Sequence, residues 1–315
     1  MTGSQCSSVD SSQISRLLKR RLPRSAWEAV RKIGDLADQE SLPAYLVGGF
    51  VRDLLLGVKN LDLDIVVEGD ALALARLLQK KINLKARLYP RFGTASLALP
   101  GGLKIDLASA RQEVYPAPAA LPRVRLSSIK DDLFRRDFTL NTLALKINGR
   151  DFGRLLDFFG GGDDLAAGEI RVLHKMSFID DPTRILRAIR FEQRYNFSIE
   201  PKTLKLLQEA CAKGLLSKLS RFRLGREFIL LLKEEQPLLA ISRFEQLCGL
   251  AVIHPLMKLD QTVKSAQPKK DWLDYFALLA RDLDEGQLEK LCADFSLTRK
   301  ERQSLKTAVK KHCRQ

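Results

Sequence analysis

No run of about 18 apolar residues, the length a membrane-crossing helix needs, occurs anywhere in the 315-residue chain, so no transmembrane helix is expected. The N-terminus has no basic flank followed by an apolar core, so no secretory signal is expected either, and the chain reads as cytoplasmic. Histidine is scarce: His174, His254 and His312 lie far apart, without zinc-ligand spacing. A metal in this chain is therefore expected on carboxylates. The cysteines, Cys6, Cys211, Cys248, Cys292 and Cys313, are odd in number and none forms a Cys-x-x-Cys pair. They read as reduced thiols, not a disulfide framework. Internal repeats and long low-complexity tracts are absent.

What is present is an ordinary globular balance with a strong charge bias. Hydrophobic residues make up 45% and charged residues 29%, which excludes a mostly disordered chain, a collagen-like repeat and a disulfide miniprotein. Lys and Arg exceed Asp and Glu by 53 − 38 = 15. Such an excess points to a polyanionic partner, nucleic acid before an anionic membrane surface. The length accommodates two or three modest domains.

Residues 1–12, rich in Ser and Gln, are expected to be a disordered leader. Ser25-Ala26-Trp27-Glu28 has the form of a capping box opening a helix to about Gln39. Tyr45-Leu46-Val47 and Leu63 to Val67 read as short strands, and Ala71 to Ile82 as a helix capped by Asp70. Thr94 to Leu99 and Leu103 to Leu107 form a predicted hairpin turning at Pro100-Gly101-Gly102. Beyond Gly160-Gly161-Gly162, a candidate hinge, amphipathic helices are predicted at 181–196, 201–213, 220–234, 237–247, 271–281, 285–294 and 298–312. The fold expected is α+β: a head over 13–150 with a small mixed sheet, then an all-α neck over 151–235 and a helical body over 236–315.

Five segments carry chemistry. Gly48-Gly49-Phe50-Val51-Arg52-Asp53 follows a strand and opens a helix. Paired glycines let a phosphate approach the backbone, the helix start offers free N–H groups, and Arg52 adds a cation; a tight turn alone would also use two glycines. In Leu61-Asp62-Leu63-Asp64-Ile65, Asp62 and Asp64 share one strand face. Two such carboxylates repel unless a divalent cation lies between them; the alternative, a solvated edge, fits poorly with the apolar run that follows. Lys104-Ile105-Asp106-Leu107 brings a third acid if its strand pairs beside Asp62. Arg136, Asp137 and Asn141 combine a phosphate binder with groups suited to ribose hydroxyls. In Asp180-Asp181-Pro182-Thr183-Arg184, Asp181 and Arg184 are expected on one helix face. An acceptor beside a donor matches the amino group and ring nitrogen of cytosine or adenine and opposes uracil and guanine; an i,i+3 ion pair would have the same spacing. The tail from Arg299 to Arg314, with seven basic residues and one acid, suits either RNA contact or a solvated helix face.

In this order, the five segments resemble the class II nucleotidyltransferases of the polymerase-β superfamily: the bacterial-type tRNA CCA-adding enzymes and the related poly(A) polymerases. The likeness runs from about Ala44 to Leu232. It implies a polymerase-β-like nucleotidyltransferase head in which Asp62, Asp64 and Asp106 are catalytic and Asp62 and Asp64 bind Mg²⁺. It implies nucleotide contacts from Gly48, Gly49, Arg52, Arg136, Asp137, Asn141, Asp181, Arg184, Arg187 and Arg190, with Asp180, Arg223 and Glu227 in support. Asp157-Phe158-Phe159-Gly160-Gly161 resembles the family's head-to-neck hinge. Asp180 stands where the family has Glu, one methylene shorter. The chain is short beyond residue 235, so the body is expected to be reduced. The stretch Arg111 to Lys130 takes the place of a flexible loop, in a form similar to relatives that add only part of the CCA end.

The implied activity is template-independent addition of C and/or A, from CTP or ATP, to the tRNA 3′ end. Poly(A) synthesis on other RNA ends is the alternative with the same site. Transfer to a small molecule fits poorly with the charge and the helical half, and a non-catalytic RNA binder fits poorly with three acids facing a polyanion.

Overall fold

Residues 10–82, 84–260 and 271–312 are described by a computed structural model of the chain. The first nine residues of the expected leader, with Cys6, and the end of the basic tail, Cys313 and Arg314, lie outside the described residues. The leader's last three residues are ordered: Asp10 accepts from the Ser12 amide and caps α1 (Ser11–Arg21). The chain divides into two compact units, residues 1–114 with 122–173, and residues 115–121 with 174–315. The expected divisions near 150 and 235 are not where the compact units part.

In the first unit α2 (Arg24–Gln39) begins one residue before the expected capping box and has no side-chain cap. Pro23, with φ −54°, sets the helix start, and Glu28 instead accepts from Arg24 at 2.7 Å. Then come β1 (Ala44–Val47), α3 (Gly49–Leu56), β2 (Leu63–Val67) and α4 (Ala71–Ile82). Asp70 caps α4 as expected, accepting from the Leu72 and Ala73 amides. β3 (Lys85–Tyr89), β4 (Thr94–Ala98), β5 (Lys104–Ser109), β6 (Arg111–Val114), β7 (Arg123–Leu126), α5 (Ile129–Phe134), β8 (Ala144–Lys146), β9 (Leu155–Leu156) and α6 (Gly161–Ala167) complete the unit's main elements.

Seven strands form one mixed sheet in the order β3-β4-β5-β2-β1-β8-β9. β2 and β5 run parallel, with Asp64 level with Asp106; the other neighbouring strands of this sheet are antiparallel. Alternation divides the sheet by face. Leu63, Ile65, Leu97, Ile105 and Leu107 are buried on one side, where α4 packs across β3, β4 and β5. On the other side Tyr45, Val47 and Val66 pack with Ile129 and Leu133 of α5. That cover spans β1 and β2, so the opposite side of β3, β4 and β5 is left partly open, and the acids stand at its margin.

The glycine run read as a hinge lies within the first unit, with Gly161 and Gly162 buried and Gly160 exposed. Asp157 accepts from the Phe159, Gly161 and Gly162 amides. A Cβ on Gly161 would lie 2.2 Å from the Thr139 carbonyl oxygen, so glycine is needed there for close approach.

The second unit is helical, as expected: α7 (Ser177–Asp180), α8 (Thr183–Tyr195), α9 (Pro201–Ala212), α10 (Arg221–Leu232), α11 (Pro237–Cys248), α12 (Trp272–Leu279), α13 (Glu285–Asp294) and α14 (Arg299–His312). Phe228 is its aromatic centre, with ring centroids 6.2, 6.0 and 6.5 Å from Phe244, Phe276 and Phe295. The expectation of reduced thiols fails at one pair: Cys211 and Cys248 form a disulfide. Packing of α9 against α11 brings together two cysteines 37 positions apart, which sequence spacing does not reveal. Cys292 is a free, buried thiol.

Candidate active site

The turn from β1 into α3 is built on Gly48, whose φ of 71° favours glycine. Space demands the same: a Cβ there would lie 2.6 Å from Nη1 of Arg136. The Arg136 guanidinium therefore lies directly over the turn, beside the start of α3, whose first N–H groups have no acceptor within the helix. A cation and free amides at one turn make a cradle for phosphate.

Beneath the cradle runs a buried chain of hydrogen bonds. Arg52 donates from Nε to Asp53 at 2.8 Å and from Nη1 to Asn141 at 2.7 Å. Asn141 donates to Asp137 at 2.8 Å, and Asn60 donates to Asp53 at 2.7 Å. Arg52, Asp53, Asp137 and Asn141 are all buried. Thus Arg52, expected as a phosphate contact, is a buried brace that joins the Gly48 turn to Asn141. Asp53 had no assigned role in the sequence.

Asp132, in the first turn of α5, is fully buried. It accepts from Arg135 at 3.0 and 2.8 Å and from Arg136 at 3.1 Å, and so fixes the cation over Gly48. Its position three and four residues before two arginines was the available signal.

Asp64 lies half-buried on β2, level with Asp106 on β5. Asp62 sits one residue ahead of β2 and is exposed. Burial, with the neighbouring Asp62 and Asp106 carboxylates adding repulsion, pushes the Asp64 carboxyl up to about 6, against an opposing pull from Arg136 and Lys104. Lys104 lies among the acids, 2.5 Å from Asp106 and 3.8 Å from Asp62. Its hydrogen bond to Asp106 raises its own pKa. Its place two residues before Asp106 put it on the same face, a feature legible but not used in the sequence.

Among the described residues, no group of three or more His, Cys, Asp or Glu side chains forms a metal cage. A hard cation such as Mg²⁺ can be held by one or two carboxylates, with water and substrate phosphate completing its shell. The donors are oxygens, and Asp64 carries the repulsion that a cation would relieve.

The second unit has its own cluster. Asp181 is not on the helix with Arg184 as expected: Pro182 is the N-cap of α8 and Asp181 is extended ahead of it. Asp181 Oδ1 accepts from the Thr183 amide at 3.0 Å, the Thr183 hydroxyl at 2.6 Å and Arg223 at 2.8 Å. Oδ2 accepts no hydrogen bond among the described residues. Arg223 also donates to the Ala119 carbonyl at 2.9 Å. Arg184 is buried and donates to the Ser177 hydroxyl at 2.6 Å. Asp180 lies 4.0 Å from His174, whose pKa burial and the nearby Arg184 lower. Ser177 and Thr183 had no role in the sequence reading.

Arg187 is half-buried, with its guanidinium 5.5 Å from the Phe191 ring centroid. Arg190, expected as a nucleotide contact, is buried and donates to Glu234 at 2.9 Å and Glu227 at 3.1 Å. Arg194 shares Glu234. These bonds tie α8 to α10 and the turn after it, so the structure gives Arg190 and Glu227 a bracing place.

The Poly A polymerase head domain family matches residues 44–171, which span the Gly48 turn, the three acids and the Arg136–Asn141 segment. The A-adding tRNA nucleotidyltransferase of Geobacter sulfurreducens is 41% identical over 320 residues, covering 96% of this chain and 36% of that protein. The Aquifex aeolicus protein of the same name is 50% identical over 195 residues, covering 62% of this chain and 24% of that protein. The chain therefore spans about a third and a quarter of the lengths of these two relatives. A solved CCA-adding enzyme, in its apo form II, superposes with a TM-score of 0.82 at 40% identity, covering 94% of this chain and 74% of that one. With the Gly48 cradle and the acid-bearing strands falling within the matched head, the chain belongs to the family of class II tRNA nucleotidyltransferases and bacterial poly(A) polymerases.

Proposed function

We propose that this chain adds C and/or A to the 3′ end of tRNA in the cytoplasm, using CTP or ATP and releasing pyrophosphate. The observation that carries the reading is the placement of Asp62, Asp64 and Asp106 around one margin of the sheet, in a chain whose relatives are tRNA nucleotidyltransferases. Both relatives named above are A-adding enzymes, so the terminal A on tRNA ending in CC is the addition expected.

In the reaction the RNA 3′-oxygen bonds to the α-phosphorus and loses its proton. The bridging bond to the β-phosphate breaks, and pyrophosphate leaves. Divalent metal use is general in this family; Mg²⁺ on Asp62 and Asp64 would supply charge neutralisation and acidify the attacking hydroxyl. The Gly48 turn and Arg136 bind triphosphate oxygens. Arg52, Asp53, Asp137 and Asn141 hold that turn in register, and Asp137 and Asn141 are the groups that would meet a ribose hydroxyl. Lys104, bonded to Asp106, would be the cation beside phosphate where Asp62 and Asp64 hold a metal ion. Asp181 Oδ2 accepts from the base amino group, with Arg223 and Thr183 fixing the carboxylate through Oδ1. Arg184, braced by Ser177, donates to the ring nitrogen. Uracil and guanine would set a carbonyl against the carboxylate, a mismatch that costs roughly 1–3 kcal/mol.

The test uses tRNA transcripts ending before C, after CC and after CCA, with one labelled nucleotide supplied at a time. Extension of the CC-ended transcript with ATP, lost in Asp64→Asn, is the expected result. Long A tracts on unrelated RNA, with tRNA ignored, would overturn the tRNA assignment.

A further inference from the structure

The face of the sheet that carries the acids does not end at them. Strand register extends it outward in two rows. Asp64 is level with Asp106, Asp106 with Ser96, and Ser96 with Arg87. Lys104 is level with Ala98, and Ala98 with Lys85. Directly paired residues share a face, so Lys85 and Arg87 stand on the acid-bearing side, as does Tyr89 two positions on. From Asp64 to Arg87 is three strand spacings, roughly 14 Å at about 4.8 Å each.

Exposure agrees with the register. Along β3, Lys85, Arg87 and Tyr89 are exposed while Ala86 and Leu88 are less so. β4 presents Thr94, Ser96 and Ala98 on this side and buries Ala95 and Leu97. The opposite face is the one covered by α4. The Arg87 guanidinium lies 5.5 Å from the Tyr89 ring centroid, and neither Lys85 nor Arg87 has an acidic partner among the described residues. Tyr89 is 36% exposed, and Phe92, in the turn after β3, is 63% exposed and 5.9 Å from Arg91. The margin is thus acidic at the metal-binding carboxylates and cationic and aromatic at the sheet edge.

We propose that this open face of β3 and β4 is the track for the single-stranded 3′-terminal nucleotides of the RNA acceptor, with Lys85 and Arg87 on phosphates and Tyr89 stacked on a base. The proposal rests on the reading of the chain as an RNA nucleotidyltransferase. Three features favour this occupant. The track is continuous with the acids, where the 3′-hydroxyl must arrive. Its cations complement a phosphodiester backbone. An exposed ring beside cations suits unpaired bases, which can stack, better than a duplex, which is gripped by its shape and backbone. None of Lys85, Arg87 and Tyr89 belongs to the nucleotide cradle, so the incoming triphosphate should not sense their loss.

The experiment measures steady-state addition and RNA binding by the full chain, using a tRNA minihelix with a single-stranded end. Lys85→Ala with Arg87→Ala should raise the RNA KM about 10-fold or more, leaving the ATP KM within about 2-fold. The slope of log affinity against log salt should become shallower by about 1.4, since each single-strand phosphate contact contributes about 0.7. Tyr89→Ala should weaken RNA binding about 5-fold or more, and Tyr89→Phe should restore it, because the ring and not the hydroxyl stacks. Unchanged RNA KM and salt slope in the double variant, with wild-type melting, would overturn the track. So would equal competition by a blunt duplex lacking the single-stranded end. If instead the wild-type chain binds ATP with Mg²⁺ but extends no RNA, the functional reading itself has failed, and the two failures are told apart.

Discussion

Replacing Asp132 with alanine removes the carboxylate that holds Arg136 over Gly48. The loss falls unequally on its two arginine partners. Arg135 keeps a second acid, Glu113, at 2.9 Å. Arg136 loses its 3.1 Å contact with Asp132, and its Nε is already buried without a hydrogen-bond partner among the described residues. Removing one member of a buried ion pair costs about 3–5 kcal/mol. With the Arg136 side chain 17% exposed, water recovers part of its solvation, so the lower end, about 3 kcal/mol, applies. At about 2–4 °C per kcal/mol for a unit of this size, the melting midpoint should fall by about 6–12 °C. A charged hydrogen bond to phosphate contributes about 1.5–3 kcal/mol, so a wandering Arg136 should lower kcat/KM for the nucleotide about 10-fold to 100-fold. Asp132→Asn retains the volume and one acceptor oxygen and should fall between the two. Differential scanning calorimetry together with single-nucleotide addition assays measures both effects. A midpoint within 2 °C of wild type for Asp132→Ala would refute the view that this acid is the anchor.

Glu234→Ala removes the acceptor that Arg190 and Arg194 share, leaving Arg190 with Glu227 alone, and should cost about 1.5–3 kcal/mol in denaturant unfolding; a loss confined to nucleotide affinity would instead make Arg190 a nucleotide contact. Gly48→Ala forces both a positive φ and a 2.6 Å approach to Arg136, and should cut addition at least 10-fold while far-ultraviolet circular dichroism stays native. Asp64 should make the metal-free chain pH-sensitive. Its folded pKa of about 6 lies above the ordinary 3.8, so between those values the folded state holds a proton that the unfolded state has released. Stability of the metal-free chain should therefore fall as pH rises through that window, and Mg²⁺ should restore it above pH 6. Melting curves with and without Mg²⁺, compared with those of Asp64→Asn, read this out, and an identical Mg²⁺ response in the variant would remove Asp64 from the metal site.

Local pattern was enough for much of the framework. The Leu63–Val67 strand, the Ala71–Ile82 helix with its Asp70 cap, and the turn at Pro100-Gly101-Gly102 match the structure because caps, apolar periods and turn residues act within a few positions. The helices of the second half follow for the same reason, from a 3.6-residue period. Failures of the same local reasoning lie where a neighbour in sequence overrode the pattern. Pro23 displaced the expected capping box, and Pro182 put Asp181 outside α8, so spacing alone misjudged how Asp181 and Arg184 are arranged.

What only tertiary structure decided is which distant side chains meet. Ser128 and the turn it caps could be read locally, but not that the Asp132 carboxylate would be fully buried against Arg136. Asp106 was a third acid only on condition that its strand lay beside Asp64, and the parallel β2–β5 pairing supplies that condition. The β3 strand has an alternating but weakly apolar sequence, and it becomes visible as the basic, aromatic end of the acid-bearing face only through its register with β4. Arg190 and Glu234 are 44 positions apart, and Cys211 and Cys248 are 37. Each pair is made by helix packing, which depends on the summed burial of whole faces and leaves no mark in the residues between.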